Sequence, residues 1–491
     1  MKTVKNILSL DCGNSSYRVV LGRYDGEKIT TELIAQEPNN MIEIKEYYYW
    51  DMHKIFNFFM TSLKKTLKIV ERVDSIGVCT WGVDFALYDK DANMLSNPLS
   101  YRNTMGKKSL DKLSKGEKDD LFYETGILCD KINSLYMLNG IKENMPHIFE
   151  KADKLLMIPD ILNYMLTGVM LNEPSELSTT QMLSTQSKKI SQKVCDKFHI
   201  PAKLFNRIGV HGEVIGNLLP SLKKELAIDY DIPVICVPSH DTAAAVAAIP
   251  ALEDNFAFIS SGTWSLIGAE LDEPVMTKEV LESQLTNELG AFNKITMLKN
   301  SAGMFLIQNI KKEYDDITNT HNSWENINQI ANSYDGDIPL ININNQRFFN
   351  PPHMGKEIYN YLVETNQTVE SFSWGIVIKA VLESMACCYA QTIRNLEHVI
   401  DKQFKNVYMV GGGSQNDVVN GLTAKRSGKK IIACSKESTS LGNIIVQIKH
   451  FEENLSLKNM RDIVKKSITL ETYQDDDMED DSMVDRYSNL V

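Results

Sequence analysis

Apolar and polar positions alternate in short blocks at the start of the chain. Ile7-Leu8-Ser9-Leu10 is a short apolar run, Asp11-Cys12-Gly13-Asn14-Ser15-Ser16 a polar turn, and Tyr17-Arg18-Val19-Val20-Leu21-Gly22 an apolar return. That pattern predicts a β-hairpin, and Asp25-Gly26 marks the next hairpin turn. Over residues 50–70, Ile55, Phe58, Phe59, Leu63 and Leu67 recur at helical spacing. Residues 73–79 read as a strand leading into Thr80-Trp81-Gly82-Val83-Asp84-Phe85, and residues 89–93 as a further hairpin turn. Residues 105–230 read as mostly helical, punctuated by Pro159, Gly168, Pro174, Pro201 and Gly216.

A second strand-rich block opens at Pro233. Residues 234–237 predict a strand that ends in Ser239-His240-Asp241-Thr242, followed by a helix of small residues, 243–248. Residues 256–260 and 264–269 predict two strands around the turn Ser261-Gly262-Thr263. This hairpin lines up with the first, Asp11-Cys12-Gly13-Asn14-Ser15-Ser16 against Ser260-Ser261-Gly262-Thr263-Trp264-Ser265. Two such hairpins about 250 residues apart suggest two similar lobes. Further on, residues 407–410 predict a strand, Gly411-Gly412-Gly413 a turn, and Val418, Val419 and Leu422 a helix ending at Gly428. Strand, glycine turn and helix form the layout of a nucleotide-contacting turn in an α/β sheet.

Composition narrows the class. The chain has 491 residues, 43% hydrophobic and 24% charged, which suits a globular protein of two or more domains. The formal net charge of −12 argues against a nucleic acid as the main partner. Half of that charge sits in residues 475–486, with seven acids and one base, a segment expected to be a solvated terminus. No uninterrupted apolar run reaches the roughly 18 residues of a membrane span, and Asp11 and Gly13 break the first one too early for a signal peptide. The eight cysteines show neither a C-x-x-C pair nor metal spacing. They read as small buried side chains in a reducing compartment, so a cytoplasmic protein without membrane contact is expected.

Several segments could carry chemistry, each with a plainer structural alternative. The turn 11–18 offers Ser and Asn side chains and successive N–H groups that can cradle phosphate oxygens. Arg18 could add a charged contact and Asp11 could orient Mg²⁺ through water. An ordinary β-turn accounts for the same residues. Asp241 stands at the end of a strand and the start of a helix, where it could accept a hydroxyl proton or simply cap the helix. Gly411-Gly412-Gly413 could lie flat against a base or ribose, or only make a tight turn. Gly82 permits close approach of a small ligand, and Trp81 could wall a sugar face or be core. Asn300 could hold sugar hydroxyls, with Gln308 about two helical turns on. The chain lacks G-x-x-x-x-G-K-[ST], G-x-S-x-G, H-E-x-x-H and G-x-G-x-x-G.

Taken in order, these segments resemble the sugar kinases of the FGGY family. The resemblance rests on Thr80-Trp81-Gly82-Val83-Asp84-Phe85, Ser239-His240-Asp241-Thr242-Ala243, residues 259–266, Leu298-Lys299-Asn300, residues 411–416 and Leu441-Gly442-Asn443. Residues 156–168 add to it, and it runs from about residue 7 to 450. It implies an α/β fold of two actin/hexokinase-like (ribonuclease H-like) lobes, 1–246 and 247–491, with a central cleft where ATP and sugar meet. It implies that Asp241 is the general base and that Gly82, His240, Thr242 and Asn300 contact the sugar. Asn14, Ser15, Ser16, Tyr17, Arg18, Thr263, Gln308 and Gly412 would contact ATP, and Asp11 would lie near Mg²⁺. The sugar implied is L-rhamnulose, phosphorylated on O1. L-Fuculose or L-xylulose is the alternative, and a non-catalytic sugar or nucleotide sensor is the other class. The chain departs from the family pattern at Asn14 and Tyr17, at Asn103 and Met105, and at Leu289.

Overall fold

The computed structural model describes residues 4–349, 351–367, 371–475 and 482–491. They form two compact units, neither of them one continuous stretch. The first comprises Met1–Leu252, Glu270–Met297 and Ser438–Ile468. The second comprises Glu253–Ala269, Leu298–Glu437 and Thr469–Val491.

The first unit is built on a six-stranded sheet in the order Val214–Asn217, Pro233–Ile235, Ser75–Thr80, Lys5–Cys12, Ser16–Tyr24, Ile29–Pro38. Ser75–Thr80 runs parallel to Lys5–Cys12, and the last three strands form an antiparallel meander. The alternating apolar positions supply both faces of this sheet, as strand periodicity requires. Leu8, Leu10, Tyr17 and Val19 pack on one face with Phe58, Phe59 and Leu63 of the helix Met52–Thr66. Asp51 caps that helix by accepting from the Lys54 N–H. Ile7, Val20 and Ile235 pack on the other face with Ile444, Ile445 and Ile448 of the helix Ser438–Ile448.

That second helix approaches the sheet closely. A Cβ on Gly77 would fall 2.3 Å from Asn443 Oδ1, and one on Gly22 2.8 Å from the Ile444 side chain. Two hydrogen bonds tie polar groups across the contact. Ser75 Oγ donates to Gln447 Oε1 at 2.7 Å and Gln447 Nε2 donates to the Leu8 carbonyl at 3.2 Å.

In the second unit, Trp264–Leu271 lies beside Ala257–Ser261, followed in order by Asn406–Val410, Lys430–Ala433 and Glu471–Tyr473. Ala257–Ser261 and Trp264–Leu271 are an antiparallel hairpin, and Asn406–Val410 is parallel to Ala257–Ser261. The first unit has the same local arrangement, a hairpin whose first strand also has a parallel neighbour. The helix Trp374–Ile400 is long and apolar enough to cross a membrane, yet most of it is buried inside the protein. The helix Asp417–Ser427 begins at Asn416, which accepts from Val419 N–H, and ends at Gly428 with φ +62°.

One expectation changes and one gains detail. Residues 105–230 are mostly helical as expected, and they also hold the strand Lys154–Met157, paired with Phe85–Tyr88. The terminus is not simply solvated, because the helix Ser482–Ser488 buries Val484 and Tyr487. Most of the acidic run, residues 476–481, lies outside the described residues.

Candidate active site

The first hairpin carries its charges at one end. Asp11 and Arg18 are cross-strand partners, and the turn between the strands is only Gly13–Ser15. Arg18 Nε donates to Asp11 Oδ2 at 2.9 Å, and Ser440 Oγ donates to the same oxygen at 3.3 Å. Burial pushes the Asp11 carboxyl above the usual range, Arg18 pulls it back, and the charge of Asp241 pushes it up again. Asp11 and Asp241 therefore share one electrostatic environment.

The turn is held by its backbone. Gly13 N–H donates to Ser16 O at 2.9 Å, and Asn39 donates to Ser15 O and Gly13 O. Ser15 is exposed and Ser16 half-buried. Asn14 Nδ2 donates to Tyr101 OH at 2.5 Å, while its Oδ1 is buried with no hydrogen-bond partner. Tyr17 stands apart. Its ring is buried against Phe58 with centroids 4.6 Å apart, so any ligand contact of residue 17 is left to its backbone.

Strands Lys5–Cys12, Ser75–Thr80 and Pro233–Ile235 bring the second group of residues beside the first. Thr80 N–H donates to Ser239 O at 2.7 Å, and Thr80 bridges His240 in parallel register. Asp241 opens the helix Asp241–Ala247 and its side chain is 36% exposed, unlike the buried His240. Thr242 Oγ1 donates to Asp241 Oδ1 at 3.4 Å. His240 Nε2 lies 3.5 Å from Asp241 Oδ1, and Nδ1 lies 3.2 Å from Glu288 Oε2. Gly82 faces this ring: a Cβ there would sit 3.2 Å from His240 Cδ2 and 3.1 Å from Thr179 Cγ2. The next residue, Val83, is β-branched yet has φ +72°, a strained conformation. Thr179 and Ser134 hold it through its N–H and carbonyl. Trp81 is core, not a sugar wall: it is buried on Trp50, and both indoles donate to Asp84, at 2.9 and 2.6 Å.

Behind His240 lies a buried polar chain. His240 N–H donates to Ser175 Oγ, and Ser175 Oγ donates to Glu173 Oε2 at 2.6 Å. His211 Nε2 meets Glu173 Oε1 at 2.6 Å, while its Nδ1 accepts from Phe292 N–H at 2.8 Å. That acceptance places the ring proton on Nε2.

In the second unit Thr263, Asn300, Gln308 and Gly412 are all exposed. Met304 N–H donates to Gly262 O at 3.0 Å, so the helix Phe305–Thr318, which carries Gln308, starts against the turn that carries Thr263. The three glycines differ. Gly411 has φ +80°, and a Cβ on Gly413 would fall 2.0 Å from Ser261 Oγ. Both are fixed by the fold, whereas Gly412 has nothing within 4 Å of the Cβ position and is the one open to a ligand.

The remaining departures serve the fold. Asn103 staples its loop, accepting from Tyr48 N–H and donating to Tyr48 O and Ser100 O. Met105 and Leu289 are core side chains.

Two family models match the chain. The N-terminal domain of the FGGY family of carbohydrate kinases covers residues 6–247, and the C-terminal domain covers 257–450. The chain belongs to the FGGY family of carbohydrate kinases. It is a carbohydrate kinase that moves a phosphoryl group from ATP to a sugar. Among similar proteins, a rhamnulokinase of Bacteroides thetaiotaomicron is 35% identical over 476 residues, 96% of each chain. One of Bacillus subtilis is 31% identical over 487 residues, 98% of each. Solved structures share the fold at low identity. A gluconate kinase of Lactobacillus acidophilus matches with TM-score 0.80 at 15% identity, covering 99% of this chain and 96% of its own. A Plasmodium falciparum glycerol kinase with ADP matches with TM-score 0.77 at 15% identity, covering 99% and 97%.

Sequence alone assigns no role in this FGGY kinase to Glu288, Ser440 or Tyr101. Ser440 borders Leu441-Gly442-Asn443 and Glu288 adjoins Leu289, but their partners Asp11 and His240 are 429 and 48 residues away along the chain.

Proposed function

We propose that this kinase phosphorylates O1 of L-rhamnulose, giving L-rhamnulose 1-phosphate and ADP in L-rhamnose catabolism. The observation that carries the reading is the near full-length identity to several rhamnulokinases. The family departures that bore on the sugar, Asn103, Met105 and Leu289, are occupied with packing and loop hydrogen bonds.

In this reading Asp241 accepts the proton of the attacking hydroxyl. It is half-exposed where a substrate can reach it, with the Thr242 hydroxyl on Oδ1. His240, Gly82, Thr242 and Asn300 hold the sugar. Asn14, Ser15, Ser16, Arg18, the Tyr17 backbone, Thr263, Gln308 and Gly412 hold ATP. Phosphoryl transfer depends mainly on position and charge, so small polar turns suffice.

Mg²⁺ fits the residues present as an ion held chiefly by the nucleotide. Asp11 is a buried carboxylate whose Oδ2 is already engaged, and the described residues hold no group of three or more His, Cys, Asp or Glu suited to a metal. Asp11 would meet the ion through water, and the ion would neutralise charge on the phosphate oxygens. Eight free cysteines, most of them buried, support a reducing, cytoplasmic setting.

The test is ADP release from MgATP with a panel of L-rhamnulose, L-fuculose, L-xylulose and their aldoses. Turnover confined to L-rhamnulose supports the reading. Turnover on another ketose keeps the reaction and changes the substrate. No turnover on any sugar overturns the proposal.

A further inference from the structure

We infer that Glu288 is a positioning residue of the phosphoryl-transfer site: its carboxylate holds the His240 ring so that Nε2 is presented to Asp241 and the reacting sugar hydroxyl. This rests on the assignment of Asp241 as the base.

The geometry is a line of three groups. Glu288 Oε2 is 3.2 Å from His240 Nδ1, and His240 Nε2 is 3.5 Å from Asp241 Oδ1. Both Glu288 and His240 are 8% exposed, and among the described residues neither Glu288 Oε2 nor His240 Nδ1 makes a hydrogen bond, so their 3.2 Å contact is an ion pair. The ring has little freedom otherwise. Its backbone is tied to Ser175, and Gly82 lies against its Cδ2–Nε2 edge.

Glu288 is not needed to hold its own strand. Within Thr286–Leu289, Asn287 bonds Val275 and Gly126, and Leu289 N–H donates to Ser178 Oγ. A buried carboxylate with no task in the strand is costly unless it is paired. Its ion-pair partner among the described residues is the His240 ring, which lies 3.5 Å from the base, and that makes a role at the site the economical account.

The charges facing His240 are Glu288 from the strand, Asp241 from its own helix, and Glu173 from the buried polar chain. Glu176 accepts from Thr80 at 3.3 Å, and Asp11, paired with Arg18, interacts with the charge of Asp241. Burial alone would keep the ring neutral, but the carboxylates, Glu288 foremost, lift its pKa to about 9. The ring is then an imidazolium at neutral pH, and its Nε2–H points a positive charge at Asp241. That charge, 3.5 Å from Asp241 Oδ1, helps to hold the Asp241 side chain in place.

The experiment compares wild type, Glu288→Gln and Glu288→Asp. One readout is kcat/KM for the sugar across pH 6–10. The other is the His240 imidazole titration followed by NMR without substrates. The wild-type ring should titrate near pH 9. In Glu288→Gln both the titration and the basic limb of the profile should move down by about one unit or more, and the sugar KM should rise about ten-fold. The ATP KM should change by less than about two-fold, and Glu288→Asp should recover much of the limb. A purely structural role would lower kcat equally at every pH. An unmoved His240 titration in folded Glu288→Gln overturns the inference. So does the failure of Glu288→Asp to restore any part of a shifted limb. Should Glu288→Gln not fold, a wild-type ring that titrates near its ordinary value overturns it as well. The NMR readout needs no sugar, so an error in the substrate or in the base leaves it intact.

Discussion

Arg18 and Asp11 sit directly opposite one another on adjacent strands, with Nε 2.9 Å from Oδ2, the acid 3% exposed and the base 27%. Removing the cation leaves a buried carboxylate with Ser440 as its remaining side-chain donor among the described residues. Arg18→Met should therefore lower stability at pH 7 by about 1–3 kcal/mol, less than a fully buried pair would lose because Arg18 reaches solvent. The deficit should shrink in acid, where Asp11 is protonated in both proteins. Urea melts at two pH values check this. An equal loss at both would remove the ion pair from the account.

Asp241→Asn keeps the shape of the helix start and removes the proton acceptor. Turnover should fall about 10²–10⁴-fold, with ATP binding preserved. Calorimetric titration with nucleotide beside the turnover assay separates the two effects. A folded mutant with near-normal turnover would assign the base elsewhere.

Gly82→Ala places a methyl 3.1–3.3 Å from Thr179 and the His240 ring. The ring must shift by a few tenths of an ångström, and overpacking of this kind costs about 1–3 kcal/mol. Sugar KM should rise about ten-fold or more while ATP KM holds. Equal effects on both substrates would mean that the strain spreads through the sheet.

Asp84 links pH to stability. Burial lifts its carboxyl to about 7, against the two indole N–H bonds that pull it down. Its folded pKa lies above its unfolded one, so its contribution is full below about pH 4 and is lost as the pH rises toward 7. The loss is on the order of a few kcal/mol. Asp84→Asn should flatten the stability profile between those limits relative to wild type. Parallel profiles in denaturant would show that Asp84 is not the titrating group.

Legibility in the sequence followed the range of the interactions. The hairpins, the strand–glycine–helix turn and the Ser239–Thr242 junction depend on neighbours in the chain, and each showed as alternation or turn chemistry. Tyr17 did not. Its direction depends on the register Cys12↔Tyr17, which fixes which face each side chain takes. Leu155-Leu156-Met157-Ile158 is a short apolar run that suits helix or strand equally, and its partner strand lies about 70 residues earlier. The helix Trp374–Ile400 buries nearly every residue from Gly375 to Ala390, so over that stretch it lacks the polar stripe that marks a surface helix. Glu288 and Ser440 escaped because a partner far along the chain leaves no local pattern.

The first unit closes only with residues 438–468, and that has a consequence for synthesis on the ribosome. The floor beneath Asp11 and Asp241 is the helix Ser438–Ile448, where Gly442 lies against the carbonyl of Ala244 and Ser440 reaches Asp11. More than nine-tenths of the protein must emerge before this helix can dock. Until then the sheet face bearing Ile7, Val20 and Ile235 stays uncovered, a surface that nascent-chain chaperones recognise. A message truncated just upstream of this helix would yield a chain that contains every proposed catalytic residue and still lacks the site.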